Sequence, residues 1–351
     1  MTRWRVSTLV AVTVVATVAS GCNKKKQAPP ERRPPPELSG LAAVPVSTRV
    51  LIGADPARLA DSEIVARAFG DMLARDPDLG VRTQRLAEAC ALDVRTQLAS
   101  VHVALTTDAP EPLLVVTGRL AEADLAKCVQ TTVGAGGGQV TAHQVEGRTL
   151  YKVDDAGRVV TFGFGRADTV VVSASEKLVI EALGPGPKVL DDAEMKGLID
   201  RADARAPLWA VGKVDGSLGQ RLTRLTGGAV TTPPKAFLAA LDPSAGLRVS
   251  LGAVMATVDE AKALESHVNP TLALVAIAAQ ARGLGQLAAK IAASRDDDVV
   301  RFGVDLTSDE VKEVLSRIDS RGPSQQDASP GLAPGDAGAA ETPPDGGARG
   351  D

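Results

Sequence analysis

The sequence predicts an α+β fold in which largely antiparallel sheets carry helices, and three observations support this prediction. Segments rich in valine and leucine alternate apolar and polar residues with a period of two, which is typical of half-buried strands. Several such segments follow one another directly, while others are separated by segments of helical periodicity. Landmarks of the first half of the chain also recur in the same order in the second half, which indicates an internal duplication.

The period-two alternation places strands in both halves of the chain. In the first half they are expected near 48–53, 99–106, 113–118, 157–164 and 168–173. In the second half they are expected near 207–213, 246–256 and 298–305.

Helical periodicity predicts helices over 61–75 and 121–132, and short capped helices begin at Ser175 and Ser308. A longer helix is predicted from an Asn269 cap to about residue 294, since proline is favoured at the first helical position. Its apolar residues recur every three or four positions, so we expect this stripe to face the core, with docking of a partner as the alternative. The stripe consists of Leu274, Ile277, Ala281, Leu284, Ala288 and Ile291.

The duplication rests on short matches whose order is kept. The matched pairs are 50–53 with 209–212, 101–105 with 247–251, and 159–163 with 299–303. We therefore predict two similar copies, residues 44–206 and 207–319, each a largely antiparallel sheet with helices on one face. The sequence leaves open whether the two sheets fuse into one.

The N-terminus has the order of a secretion signal. Arg3 and Arg5 precede an uncharged run, Val6 to Ser20, of about 15 residues, which is short of the ~20 that a membrane-spanning helix needs. The run ends in Ala19-Ser20-Gly21-Cys22, and this ending resembles the lipobox of bacterial lipoproteins. The resemblance implies a signal peptide over residues 1–21, cleavage before Cys22, and lipidation of Cys22 with a diacylglyceryl thioether and usually an amide-linked acyl group such as palmitate.

The same resemblance implies an exported protein that is anchored in the cell envelope. Residues 22–43 are rich in proline and lysine and are expected to form an extended tether. Asn23 follows the cysteine, which favours the periplasmic face of the outer membrane over the inner membrane. Residues 320–351 contain almost nothing apolar, so we expect a disordered tail there.

Composition excludes some classes of binding protein. The formal net charge is −4, so the chain lacks the basic footprint of a nucleic-acid-binding protein. Aromatic residues make up 2% of the chain, too few for base-stacking platforms or aromatic cages. We expect no nucleic-acid partner, and the sequence does not indicate an oligomeric state.

Two cysteines remain once Cys22 is lipidated. In an oxidising compartment Cys90 and Cys128 are candidates for a disulfide, and the alternative is two small buried apolar residues.

Motifs for catalysis or metal binding were not found. The three histidines do not cluster: His102 is expected to face solvent on a strand, His143 lies in a predicted hairpin, and His267 lies at a predicted helix end. Zinc-binding patterns and the Gly-x-Ser-x-Gly elbow are missing from the sequence. The glycines at 134–138 follow a helix and precede a strand, the reverse of a phosphate-binding loop, so they predict a connector. We therefore predict no catalytic residue, no cofactor and no metal.

These expectations together favour a lipid-anchored envelope protein that binds or scaffolds another component, most simply an envelope protein, without catalysis. The first alternative is a receptor for a small periplasmic ligand held between the two copies, since pockets are common at such boundaries. The second alternative is an envelope hydrolase whose active site is dispersed along the chain.

Overall fold

The computed structural model describes residues 37–90, 93–216, 219–220, 224, 232–281 and 283–320. All of these residues belong to one compact unit. The predicted signal peptide, Cys22, the tether as far as residue 36, and the tail from residue 321 onward lie outside the described residues.

The described part of the chain alternates groups of strands with helices. The strands are β1 Thr48–Ala54, β2 Leu98–Thr106, β3 Leu113–Gly118, β4 Gln139–Val145, β5 Arg148–Asp155, β6 Arg158–Phe164, β7 Thr169–Ser173, β8 Leu208–Lys213, β9 Ala236–Asp242, β10 Leu247–Val254, β11 Ala292–Asp296 and β12 Val299–Leu306. The helices are α1 Pro56–Leu59, α2 Glu63–Arg75, α3 Pro77–Ala89, α4 Val94–Gln97, α5 Glu122–Ala135, α6 Glu176–Leu183, α7 Ala193–Arg201, α8 Val258–Gln280, α9 Gly285–Ala288 and α10 Ser308–Ser320.

All the strands named above form one continuous sheet, with the order β11-β12-β10-β9-β8-β1-β2-β3-β7-β6-β5-β4. Every neighbouring pair is antiparallel. The predicted α+β class with a largely antiparallel sheet is confirmed. The sheet crosses the predicted boundary at residue 207 through the β1–β8 pair, where Leu51 lies opposite Val211. The two predicted sheets are therefore one.

The alternating strands were predicted within about two residues of their observed ends, because period-two alternation is a local property of the chain. β4, β5, β9 and β11 were not among the predicted strands, although a hairpin was expected around His143. For β9 the sequence explains why. Residues 236–241 read Ala-Phe-Leu-Ala-Ala-Leu, which is apolar on both faces and therefore shows no alternation.

The long helix begins earlier than the sequence analysis expected. The side chain of Thr257 accepts a hydrogen bond from the amide of Glu260, and this cap starts α8 twelve residues before Asn269. Pro270 lies inside the helix rather than in its first turn. The predicted Asn269 cap is therefore wrong. The predicted end near residue 294 is also wrong, since β11 already occupies Ala292–Asp296.

Helices cover both faces of the sheet, which corrects the prediction that they lie on one face. Val171 packs in the main core with Leu178 and Leu198, which belong to α6 and α7. Val170 belongs to a second cluster that includes Leu125 of α5. Because successive strand residues point to opposite faces, α5 lies on the face opposite α6 and α7.

The main core lies on the face that carries α6 and α7, called the core face below. Leu51, Val211 and Leu238, from β1, β8 and β9, are at most 3% exposed and belong to this core. The C-terminal carbonyls of α6 are satisfied within it: Lys188 Nζ donates to the carbonyls of Glu181 and Ala182, each at 2.8 Å.

Candidate functional site

The other face of the central strands is apolar. Residues that alternate with the buried core residues of β2, β1, β8, β9 and β10 all have apolar side chains or none. We call this set the apolar face: Val101, Val103, Leu105, Val50, Ile52, Ala54, Leu208, Ala210, Gly212, Phe237, Ala239, Leu241, Val249, Leu251 and Ala253.

Strand register arranges the apolar face in three rows. Val103, Ile52, Ala210, Ala239 and Leu251 lie opposite one another across the five strands and form the middle row. Neighbouring strands lie about 4.8 Å apart, so the five strands span about 19 Å. Neighbouring rows are separated by two residues, each of about 3.4 Å, so the three rows span about 14 Å along the strands. Its side chains have no hydrogen-bonding groups, so they recognise apolar partners only.

Burial differs sharply between the two sides of these strands. Leu251 is 51% exposed and Leu105 is 39% exposed, whereas Leu51 and Val211 on the core face are 0% exposed. Apart from Gly212, each member of the apolar face is half-buried or exposed. The Phe237 ring lies over Gly212, where an added Cβ would be 2.5 Å from Phe237 Cε1. The middle of the sheet therefore presents a contiguous, solvent-accessible apolar surface.

Helices flank the apolar face on both sides. Leu125 and Val129 of α5 pack in the cluster that includes Val116, which lies opposite Val101 of the apolar face. On the other side Ala261 of α8 packs in the cluster that includes Ala253. The face is therefore recessed between two helices that rest on the same side of the sheet.

Two helices, α8 and α2, also expose apolar side chains. Leu274 and Ile277 of α8 are 68% and 65% exposed, so the stripe predicted to face the core does not do so at these positions. Phe69 and Met72 of α2 are 48% and 44% exposed. Contiguous exposed apolar surface on a soluble body commonly marks an interaction site.

Cys90 and Cys128 form a disulfide in the structure, with their Cα atoms 5.3 Å apart. The bond ties the residue after α3 to the middle of α5. It thus holds the α2–α3 pair against the helix that flanks the apolar face on the β3 side.

His102 does not face solvent, which corrects the sequence-based prediction. It lies on the core face, 9% exposed, and its ring contacts Trp209 edge-on at a centroid distance of 6.1 Å. Trp209 in turn covers Gly53, where an added Cβ would lie 2.2 Å from the indole ring. Burial lowers the pKa of His102 from 6.5 to about 4, so the ring is neutral at pH 7. Nδ1 has no hydrogen-bond partner among the described residues.

The other histidines are not brought together. His143 Nε2 lies 3.1 Å from Glu176 Oε1, a contact between β4 and α6 in which both side chains are more than one-third exposed. His267 lies within α8 and is exposed. In the part of the chain that the structure describes, no group of three His, Cys, Asp or Glu residues could hold a metal ion.

A cavity of about 540 Å³ lies near one end of β2 and β3. Its lining includes Ser39, Ser100, Thr117 and Asp168. These groups already satisfy one another: the Ser100 and Thr117 hydroxyls are 2.6 Å apart, and Ser39 Oγ donates to Asp168. All of its lining residues precede residue 207, so the cavity does not lie between the two predicted copies.

The apolar face was not predicted from the sequence, although the sequence carries a signal for it. When a strand is apolar on both faces, either both faces are buried in the protein, or one face binds a ligand or partner, or one face is exposed to water. Val50-Leu51-Ile52 in β1 and residues 236–241 in β9 have this pattern. Only the sheet order shows that such strands lie side by side.

No family model and no curated protein matches the sequence. Among solved structures, crystal form I of a protein named TP0453 is similar, with a TM-score of 0.43 and 12% identity over 80% of this chain and 98% of that chain. Crystal form IV of the same protein gives a TM-score of 0.42 and 12% identity over 80% of this chain and 97% of that chain. At these values the likeness transfers no function to this chain.

Helices long and apolar enough to cross a membrane were not found among the described residues.

Proposed function

We propose that this protein is a lipid-anchored, non-catalytic binding module of the bacterial cell envelope, and that it binds its ligand on the apolar face. The main support for the proposal is the difference in side-chain exposure between the two faces of the sheet. Leu51 on the core face is 0% exposed, whereas Leu251 on the apolar face is 51% exposed. Keeping such a surface in water is unfavourable by roughly 25 cal/mol per Å², so its retention is best explained by a ligand.

The anchor belongs to the same proposal. Lipidation at Cys22 would hold the protein on a membrane, and the proline-rich tether would keep its body away from the headgroups. We place it on the periplasmic face of the outer membrane because of Asn23. The test is incorporation of labelled palmitate, which should occur in the wild type and fail in Cys22→Ala, with the variant released from the membrane fraction. A variant that stayed membrane-bound would contradict the anchor.

The alternative of a receptor with a site between the two copies is favoured by one observation. The apolar face crosses the β1–β8 pair, where residues 44–206 meet residues 207–319. A binding module and a receptor for a small apolar ligand are therefore two descriptions of the same surface. The envelope-protein partner remains the other possible occupant.

We also propose the duplication in a modified form. Outward from the β1–β8 pair the strand orders are β1-β2-β3-β7-β6-β5-β4 and β8-β9-β10-β12-β11, so the second arm matches the first without the β4–β5 hairpin. Under this alignment β10 corresponds to β3. The sequence matches of 101–105 with 247–251 and of 159–163 with 299–303 instead pair β2 with β10 and β6 with β12, so those residues do not correspond.

The binding proposal is tested with an apolar dye whose fluorescence rises on leaving water. We expect the purified full chain to bind the dye, and Leu251→Gln and Leu105→Gln to weaken binding several-fold. Leu190→Gln is the matched control, since Leu190 is 40% exposed and lies outside the apolar face. Equal dye binding by all three variants, with melting temperatures unchanged, would show that the face is not the site.

A further inference from the structure

We infer that the occupant of the apolar face is the acyl chain of a single amphiphile removed from a membrane, rather than a protein surface or the membrane itself. This inference rests on the proposed function, because it names the ligand of the same site. Three features of the site support it: its size, its recess between helices, and its side chains.

The size of the apolar face argues against a folded protein partner. A face of about 19 Å by 14 Å offers about 270 Å². Standard stable interfaces bury about 800 Å² per partner, so a second copy of this chain or another folded protein would need much more area than the face provides. An acyl chain needs far less, since half of a ~30 Å bilayer core is about 15 Å, which matches the dimensions of the face.

The recess argues against a membrane surface. α5 and α8 rest on the same side of the sheet as the apolar face, one at each end of the row of strands. A helix with its side chains is about 10 Å thick, so the face lies about that far below the outer surface of the flanking helices. A planar bilayer would meet the helices first, whereas one acyl chain can lie along the face.

The chemistry of the lining agrees with an aliphatic ligand. The middle row contains only valine, isoleucine, leucine and alanine, and Phe237 is the one aromatic member of the apolar face.

The inference is tested with saturated fatty acids of increasing chain length, which displace the dye from the purified full chain. Complete burial of one methylene group increases the binding affinity about fourfold. An acyl chain that is buried on one side only should therefore gain about twofold in affinity for each added methylene. We expect this increase to stop once the chain reaches the length of the face. Leu251→Gln and Leu105→Gln should lower the affinity for the longest acids several-fold, and the control Leu190→Gln should not.

The outcomes separate the inference from the proposed function. If the dye binds at the apolar face but affinity for fatty acids does not rise with chain length, the inference is wrong and the proposed function stands, with a protein partner as the remaining occupant. A different result would identify the membrane itself as the partner. In that case the unlipidated chain would float with phospholipid vesicles, but monomeric fatty acids would not displace the dye from it, and the inference would be wrong. If Leu190→Gln weakens binding as much as Leu251→Gln, both proposals fail.

Discussion

His102 is expected to make the stability of this protein pH-dependent in a window where few other groups titrate. Its pKa is lowered to about 4 in the fold by burial, against 6.5 in an exposed histidine. A lowered pKa means that the folded state disfavours the protonated ring. The free energy of unfolding should therefore be highest above pH 6.5 and should fall as the pH drops from 6.5 towards 4.

The magnitude follows from the size of the shift. One pKa unit corresponds to about 1.4 kcal/mol, so the shift is equivalent to about 3 kcal/mol in full and about 2 kcal/mol between pH 8 and pH 5. Carboxylates with lowered pKa values, such as Asp192 beside Lys213 and Asp242 beside Ser244, act in the same direction. Their unfolded-state pKa is 3.8, so their contribution is lost mainly below pH 5.

The assay is urea unfolding at several pH values between 8 and 5, on the wild type and on His102→Leu. We expect the wild type to lose about 2 kcal/mol more than the variant over this range. Val171→Ala is the control: it is destabilised through loss of core packing but keeps His102, so it should keep the pH dependence of the wild type. The same pH dependence in wild type and His102→Leu would refute the assignment of a buried, neutral histidine.

Three further predictions concern stability. The denatured, unreduced protein should show no free thiol at Cys90 and Cys128 in a thiol assay, and reduction should lower stability by about 2–4 kcal/mol, as expected for a loop of 38 residues. Gly53→Ala should lower the melting temperature because the new Cβ would meet the Trp209 ring, and adding Trp209→Leu should recover part of the loss. Leu51→Ala should cost about 2–5 kcal/mol in a chemical unfolding experiment, since Leu51 is completely buried.

Much of the local structure follows from local sequence patterns. Residues 113–118 read Leu-Leu-Val-Val-Thr-Gly, a short segment rich in strand-forming residues, and β3 was predicted with its observed bounds. The long helix was misplaced because Pro270 favours a first helical turn only on average. Here the Thr257 cap and the packing of Ala261 against the sheet extend α8 towards its N-terminus.

The candidate site could not be predicted in the same way. Period-two alternation shows that Ile52 and Val50 share one face while Leu51 lies on the other, but not which face meets α6 and α7. Likewise, His102 occupies an alternating position in β2, and only its pairing with Gly53, beneath the Trp209 ring, shows that it is buried.

By itself, the sequence determined the α+β class and the positions of most strands, because these depend on residues a few positions apart. It also predicts the export signal and the lipid anchor at Cys22, which are local motifs. Only the tertiary structure decided that one sheet crosses the boundary between the two predicted copies, since strand order depends on pairing between residues such as Leu51 and Val211, far apart in the chain. The same long-range pairing assembles the apolar face, because short apolar segments become a surface only when their strands lie side by side.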